Sequence, residues 1–284
     1  MTRVHHVGKG SGTPLLMIHG FCVDHRLLLS LEPLFEPRTG WRRIYVDLPG
    51  MGHTVAGPEI DSADAVAASV VDFVRAEIGD QRFAVLGNSF GGLIARHVAS
   101  VFGDQVAGLA LLCPVVISDA AGRTVPPRSV VVEDADLLSG LDPDDAAEYA
   151  DIAVIQSAEN FERFRTWVLP GLRCRDRRAT ARIAGRYSLS RDPEASAPAF
   201  GGPVVFITGR RDHVVGYSDV ERLLEHYPQA VSAVLEDAGH NAHLDQPERT
   251  ETLLGDWLDR VELNVGATNG LEACAGSRPK MWRA

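Results

Sequence analysis

The 284 residues carry 45% apolar and 23% charged side chains, an ordinary globular balance and enough chain to bury a large core as one domain plus an insertion. Acidic residues outnumber basic ones 38 to 28, and the formal charge of -10 repels phosphate backbones and anionic membrane surfaces, so neither nucleic acid nor a membrane is expected as a partner. The opening stretch MTRVHHVGKGSG lacks the apolar segment of a secretory signal, later apolar runs are too short to span a bilayer, and Cys22, Cys113, Cys174 and Cys274 form no C-x-x-C pair, so the expectation is a soluble cytoplasmic chain with reduced thiols.

Short apolar runs alternate with helical patterns along the chain, which predicts a parallel sheet wrapped by helices. The first run, 15–18, leads into His19-Gly20-Phe21, with Asp24 and His25 in the same loop. The second, 43–46, leads into Asp47-Leu48-Pro49-Gly50-Met51-Gly52-His53, and the third, 83–86, into Gly87-Asn88-Ser89-Phe90-Gly91-Gly92. The fourth is 107–112, and beyond it residues 115–199 are too long for one crossover helix and helical in pattern, which predicts a helical lid. Within it, Asp142-Pro143 reads as a helix start, and Phe161, Phe164 and Val168 share one helical face that either packs on the core or lines a pocket. Residues 133–162 contain acids and no base, whereas 163–191 hold nine arginines and one acid, Asp176, a segregation suited to helix pairing. The fifth run, 204–208, leads into Gly209-Arg210-Arg211-Asp212, and the sixth, 231–235, into Ala238-Gly239-His240. A last helix closes over 255–261. The expected division is a core of 1–114 and 200–262, a lid of 115–199, and a flexible tail of 263–284 rich in Gly, Ala, Asn and Ser. Fewer than eight strands are visible because an amino-terminal hairpin would be short or weakly patterned.

The chemistry is expected at Ser89. G-x-S-x-G alone is a weak signal, but here it follows a buried strand and precedes a helix, the setting a nucleophile elbow requires. A free serine hydroxyl is a weak nucleophile and needs a base. Of ten histidines, His240 follows the last strand, where a loop can carry its imidazole over the elbow; His243 is read as structural or rim-exposed. Asp212, 28 residues before His240, sits just past a strand end and suits the carboxylate that orients the base, with Asp119 the alternative. The backbone N–H groups of Phe21 and Phe90 are the expected oxyanion donors, and His19 is expected to be a structural hydrogen-bonder. Asn88, Phe161, Phe164, Arg165 and Trp167 are the candidate substrate contacts.

These ordered motifs, covering the chain to about Val261, resemble the α/β-hydrolase superfamily. The resemblance implies an α/β-hydrolase fold, a mostly parallel doubly wound sheet with an inserted helical lid, and a serine hydrolase that needs no metal or organic cofactor. The elbow is similar to those of small carboxylesterases and lactonases, and of carbon-carbon bond hydrolases acting on ring-fission dienoates, in which arginine holds a substrate carboxylate. A small, apolar ester or lactone is the expected substrate, carbon-carbon hydrolysis the alternative, and a non-catalytic ligand-binding module the third reading.

Overall fold

The computed structural model describes residues 2–195 and 197–275. Seven strands build one sheet: β1 (His6–Lys9), β2 (Thr13–Ile18), β3 (Trp41–Val46), β4 (Phe83–Asn88), β5 (Val106–Leu112), β6 (Val204–Gly209) and β7 (Ala230–Leu235). Their spatial order is β1-β3-β2-β4-β5-β6-β7, antiparallel only between β1 and β3. Each predicted run is a strand. Four of them, β2, β3, β5 and β7, begin one or two residues before the predicted runs because the flanking residues still pair in the ladder, as Thr13 does with Trp41 and Pro14 with Arg42. β1 is short, as expected of a weak first strand, but it pairs with β3 rather than forming a hairpin with β2. The central strands β4, β5 and β6 are buried along their whole length, which explains their continuous apolar sequence.

Ten helices surround the sheet among the described residues. α1 (Arg26–Leu29) follows β2, α2 (Ala63–Glu77) precedes β4, and α3 (Phe90–Phe102) runs directly out of the serine turn. Between β5 and β6 lie α4 (Ala135–Gly140), α5 (Pro143–Ile152), α6 (Ala158–Trp167), α7 (Leu169–Cys174) and α8 (Arg177–Ala184). The expected start at Asp142 is where α5 begins, its carboxylate accepting the Asp144 and Asp145 N–H groups; Ser157 and Asp176 cap α6 and α8 likewise. The segregated charges pair locally and across helices, as in Arg165 with Glu162 and Arg173 with Asp145. Tyr149, Phe161, Phe164, Val168 and Leu169 from this insert form a second small core with Val23, Leu27 and Leu244.

After β7 come α9 (Ala242–Asp245) and α10 (Pro247–Ala275). The expected tail boundary at 262 falls inside α10. Leu254, Trp257, Leu258 and Val261 anchor its first half in the core, and glycine and asparagine further on weaken a helix without ending one already nucleated. Residues 276–284 of the expected tail lie outside the described residues. No helix of the described residues is long and apolar enough to cross a membrane.

Candidate active site

Parallel strands place all their carboxyl ends on one side of the sheet, and the loops leaving that side bring distant residues together. Ser89 follows β4, with φ 53° and ψ -118°. A left-handed serine stores about 1–3 kcal/mol of strain. Its backbone is fixed from several directions: Ser89 N–H donates to Leu112 O of β5, and Ser89 O accepts from Gly92 N–H and Val115 N–H. The turn is so close to β2 that a Cβ on Gly91 would stand 2.2 Å from Ile18 O, so only glycine fits there.

His240 Nε2 lies 2.9 Å from Ser89 Oγ, and His240 Nδ1 lies 2.9 Å from Asp212 Oδ2. The other Asp212 oxygen accepts the Val214 and Val215 N–H groups at 2.9 and 3.0 Å. Burial disfavours the Asp212 carboxylate, but the facing imidazole and the two backbone donors outweigh it and hold the carboxyl below its ordinary range. An ionised Asp212 favours the tautomer with the proton on Nδ1, in which Nε2 can accept from the Ser89 hydroxyl. Asp119 is elsewhere: it is exposed and caps a turn through Ala121 N–H.

The loop after β2 completes the site. A Cβ on Gly20 would meet Asn88 Oδ1 at 2.7 Å and Ser89 Cβ at 3.3 Å, so this loop lies against the serine. His19 is wholly buried; Leu48 N–H donates to its Nε2 at 2.9 Å, which leaves its Nδ1 proton for Gly20 O at 2.6 Å. Burial lowers the His19 pKa, consistent with this neutral tautomer. Neither Phe21 N–H nor Phe90 N–H has an acceptor within the described residues, so both remain available to a ligand. The Phe21 and Phe90 rings meet edge to face at 5.3 Å, and Tyr187 from the insert packs on both. Nothing in the sequence around Tyr187 singled it out.

Asp24 and His25 are bound up within the loop: Asp24 pairs with Arg26, and His25 donates its backbone N–H to Asp47 and pairs with it through Nδ1. Metal-ligating atoms converge in two groups among the described residues, His5 with His25 and Asp47, and Cys113 with Asp212 and His240. In the first, Asp47 already accepts from the backbone of His25 and His53 and contacts both imidazoles; in the second, both His240 nitrogens are engaged.

A cavity of about 130 Å³ opens on Ser89 and His240. Of the candidate substrate contacts, Asn88 and Phe164 line it, together with Phe21, Val23, Leu27, Ile152, Val168 and Leu172. Phe161 does not line it; it packs on Tyr149 in the second core. Arg165 faces outward and pairs with Glu162, and Trp167 lies half-buried against the second core. Arg165, the next residue after Phe164, is turned about 100° around α6 to the solvent side, whereas Trp167, three positions on, shares the Phe164 side but packs against the second core instead. Glu148 and Asp151 also line the cavity, and no arginine does. Larger depressions exist, including one of about 710 Å³ beside Val106 and Gly202, but it lies at the amino ends of β5 and β6, away from the serine.

His243, three residues beyond His240, is buried with no partner on either ring nitrogen, and burial lowers its pKa to about 3. It is therefore structural and neutral, not rim-exposed.

This strand order, with a strained serine after a central strand and a loop-borne histidine, defines an α/β hydrolase. A model of the alpha/beta hydrolase fold family matches residues 13–199, and the chain belongs to that family. It is similar to monoacylglycerol lipase ABHD6 of Bos taurus, 25% identical over 270 residues that cover 89% of this chain and 77% of the relative. It is also similar to the pimeloyl-[acyl-carrier protein] methyl ester esterase of Shewanella woodyi, 25% identical over 269 residues, with 91% of this chain and 99% of the relative covered. Among solved structures, an alpha/beta superfamily hydrolase from Oenococcus oeni superimposes with a TM-score of 0.84 at 28% identity, over 92% of this chain and 98% of the other.

Proposed function

We propose that the protein hydrolyses carboxylic esters of short acyl groups through an acyl-enzyme on Ser89. The observation that carries this reading is the continuous chain from Ser89 Oγ through His240 to Asp212, each link 2.9 Å long. Ser89 Oγ attacks the ester carbonyl carbon as its proton passes to His240 Nε2, and Asp212 stabilises the imidazolium through Nδ1–H. The Phe21 and Phe90 N–H groups hold the oxyanion of the tetrahedral intermediate. Its collapse breaks the bond to the alkoxy oxygen, which leaves with the proton from Nε2; water then adds to the acyl-enzyme by the same steps and releases the acid.

The cavity supports the acyl size. At about 130 Å³ it is well below the ~300–1,000 Å³ of pockets that enclose drug-sized ligands. Its mostly apolar wall suits an alkyl or aryl acyl group, and a small lactone fits the same chemistry. The names of the relatives, a lipase and a methyl ester esterase, agree with ester cleavage. The carbon-carbon reading required an arginine facing a substrate carboxylate, whereas the lining carries Glu148 and Asp151 and no arginine.

Ser89→Ala tests the proposal. Hydrolysis of short p-nitrophenyl esters should fall by several orders of magnitude, roughly ~10⁶ where a triad nucleophile has been removed elsewhere. A fluorophosphonate should label Ser89 in the parent protein and nothing in the variant. Near-normal turnover by the variant, or labelling at another serine, refutes the assignment.

A further inference from the structure

His240 stands in a loop, and a loop does not hold an imidazole within hydrogen-bond distance of a serine unless something fixes its backbone. The residue before it, Gly239, is confined on two sides. A Cβ there would stand 2.7 Å from Val154 Cγ1 of the insert, and Gly239 O lies 2.3 Å from where a Cβ on Gly209, at the end of β6, would be. The Gly239 N–H donates to Asp245 Oδ2 at 2.8 Å. Asp245 ends α9 and is only 8% exposed.

The other Asp245 oxygen accepts from Asn160 Nδ2 at 3.0 Å, and that amide nitrogen also reaches Leu244 O at 3.3 Å. Asn160 belongs to α6 of the insert and is 4% exposed. Its Oδ1 in turn accepts from the hydroxyl of Tyr149, a fully buried residue of α5. One turn along α6, Arg163 Nη1 donates to Leu244 O at 3.1 Å. Burial raises the Asp245 carboxyl to about 6, the mark of a buried acid retained against its desolvation cost.

We infer that Asp245 is a positioning residue for the reaction: it fixes the peptide that carries His240 through Gly239 N–H and, through Asn160, makes that position depend on the seating of insert helix α6. The inference rests on the reading of Ser89 and His240 given above. The same helix supplies Phe164 to the substrate cavity, so the base and one wall of the pocket share a support. The two side chains are complementary in one direction only, with an acceptor on Asp245 facing a donor on Asn160. With its Oδ1 kept on Gly239 N–H, Asp245→Asn turns an amide donor toward Asn160, which either faces it with its own donor or turns over and withdraws that donor from Leu244 O, and Asn160→Asp sets two carboxylates against each other. The exchanged pair, Asn160→Asp with Asp245→Asn, restores a donor facing an acceptor and still leaves an oxygen for Gly239 N–H and one for the Tyr149 hydroxyl, while Leu244 O loses the Asn160 amide and keeps Arg163 Nη1 as its donor.

The test measures kcat and KM for a short p-nitrophenyl ester, and the rate of Ser89 phosphonylation, in the parent, both single variants and the exchanged pair. Each single variant should lose roughly tenfold or more in kcat and in labelling rate with KM within about twofold, and the exchanged pair should return to within about threefold of the parent, the coupling expected of residues in direct contact. Recovery in the pair is the readout that a general loss of packing would not give. If Asp245→Asn fails to fold, Asn160→Ala, which removes only the insert side of the contact, should show the same fall in kcat and labelling rate. Single variants with unchanged kcat, or an exchanged pair no better than folded single variants, overturn the inference alone. A parent protein that no phosphonate labels at Ser89 overturns the underlying reading, and the inference with it.

Discussion

His19 offers the sharpest test of how the oxyanion loop is held. Its imidazole is fully buried and bridges Leu48 N–H and Gly20 O, so His19→Ala leaves one backbone donor and one backbone acceptor without partners inside the protein. Each such group costs about 1–3 kcal/mol, which predicts a loss of about 2–6 kcal/mol in folding stability before the cavity left by the ring is counted. Urea unfolding followed by tryptophan fluorescence measures this directly, because Trp41 and Trp257 are buried in the main core. The second consequence is kinetic. Gly20 O belongs to the peptide whose N–H is that of Phe21, so releasing it frees one of the two donors proposed for the oxyanion. Losing such a donor lowers kcat by about 10²–10³. A variant that loses stability yet keeps kcat within about twofold under folding conditions would show that Phe21 N–H does not hold the oxyanion. A stability loss below about 0.5 kcal/mol would refute the bridging role itself.

Other outcomes follow from the same structure. Gly91→Ala forces a Cβ to 2.2 Å from Ile18 O and 2.4 Å from His19 O, so it should lower Tm and activity sharply, whereas Gly122→Ala, whose Cβ meets only Ile117 Cγ2 at 3.2 Å, should change either little. A fall in Tm no larger for Gly91→Ala than for Gly122→Ala would remove the packing argument. Arg165→Ala should leave ester turnover within about twofold, since surface ion pairs contribute little and Arg165 faces Glu162 rather than the cavity; a large rise in KM would return this arginine to the substrate site. Glu194 sits on the nearly inaccessible Arg96 at 2.5 Å. Burial works against its charge, but Arg96 more than compensates and holds the carboxyl near 2 against an ordinary 4.5. Because the folded value is the lower one, this contribution, about 3 kcal/mol, is present above pH 4.5 and is lost as pH falls toward 2. Glu194→Gln should therefore be much less stable than the parent at pH 7, and the gap should narrow below pH 4.5; a gap independent of pH would refute the pairing.

The strands were legible in the sequence because β4, β5 and β6 are buried on both faces and so carry uninterrupted apolar runs. The convergence of Ser89, Asp212 and His240 was legible because each lies within five residues of the carboxyl end of a strand, where local pattern and chain order suffice. The cavity wall was not. It draws Val23 and Leu27 from one side of the fold and Ile152, Val168 and Leu172 from the insert, and no local periodicity reports which helix face turns inward. Arg165 lies beside Phe164 in sequence but around the helix from it, and Trp167 and Phe161 share its side yet pack into the second core, a division of one face that only the tertiary packing sets. The hidden role of Asp245 had the same origin: in sequence it is an ordinary acid at a helix boundary, and only the fold reveals Asn160 opposite it.

The left-handed conformation of Ser89 is tied at its N–H to the end of β5 and at its C=O to Val115, the first stretch of chain leaving that strand. A pentapeptide cut from the protein would relax out of this shape, because nothing within the pentapeptide replaces those two ties. The reactive geometry is thus a property of the whole neighbourhood, built by residues more than twenty positions downstream. Substitutions at the exit of β5, where no side chain lines the cavity at Ser89, can alter reactivity by loosening the serine, and this junction is where an engineer would adjust the enzyme without disturbing its pocket.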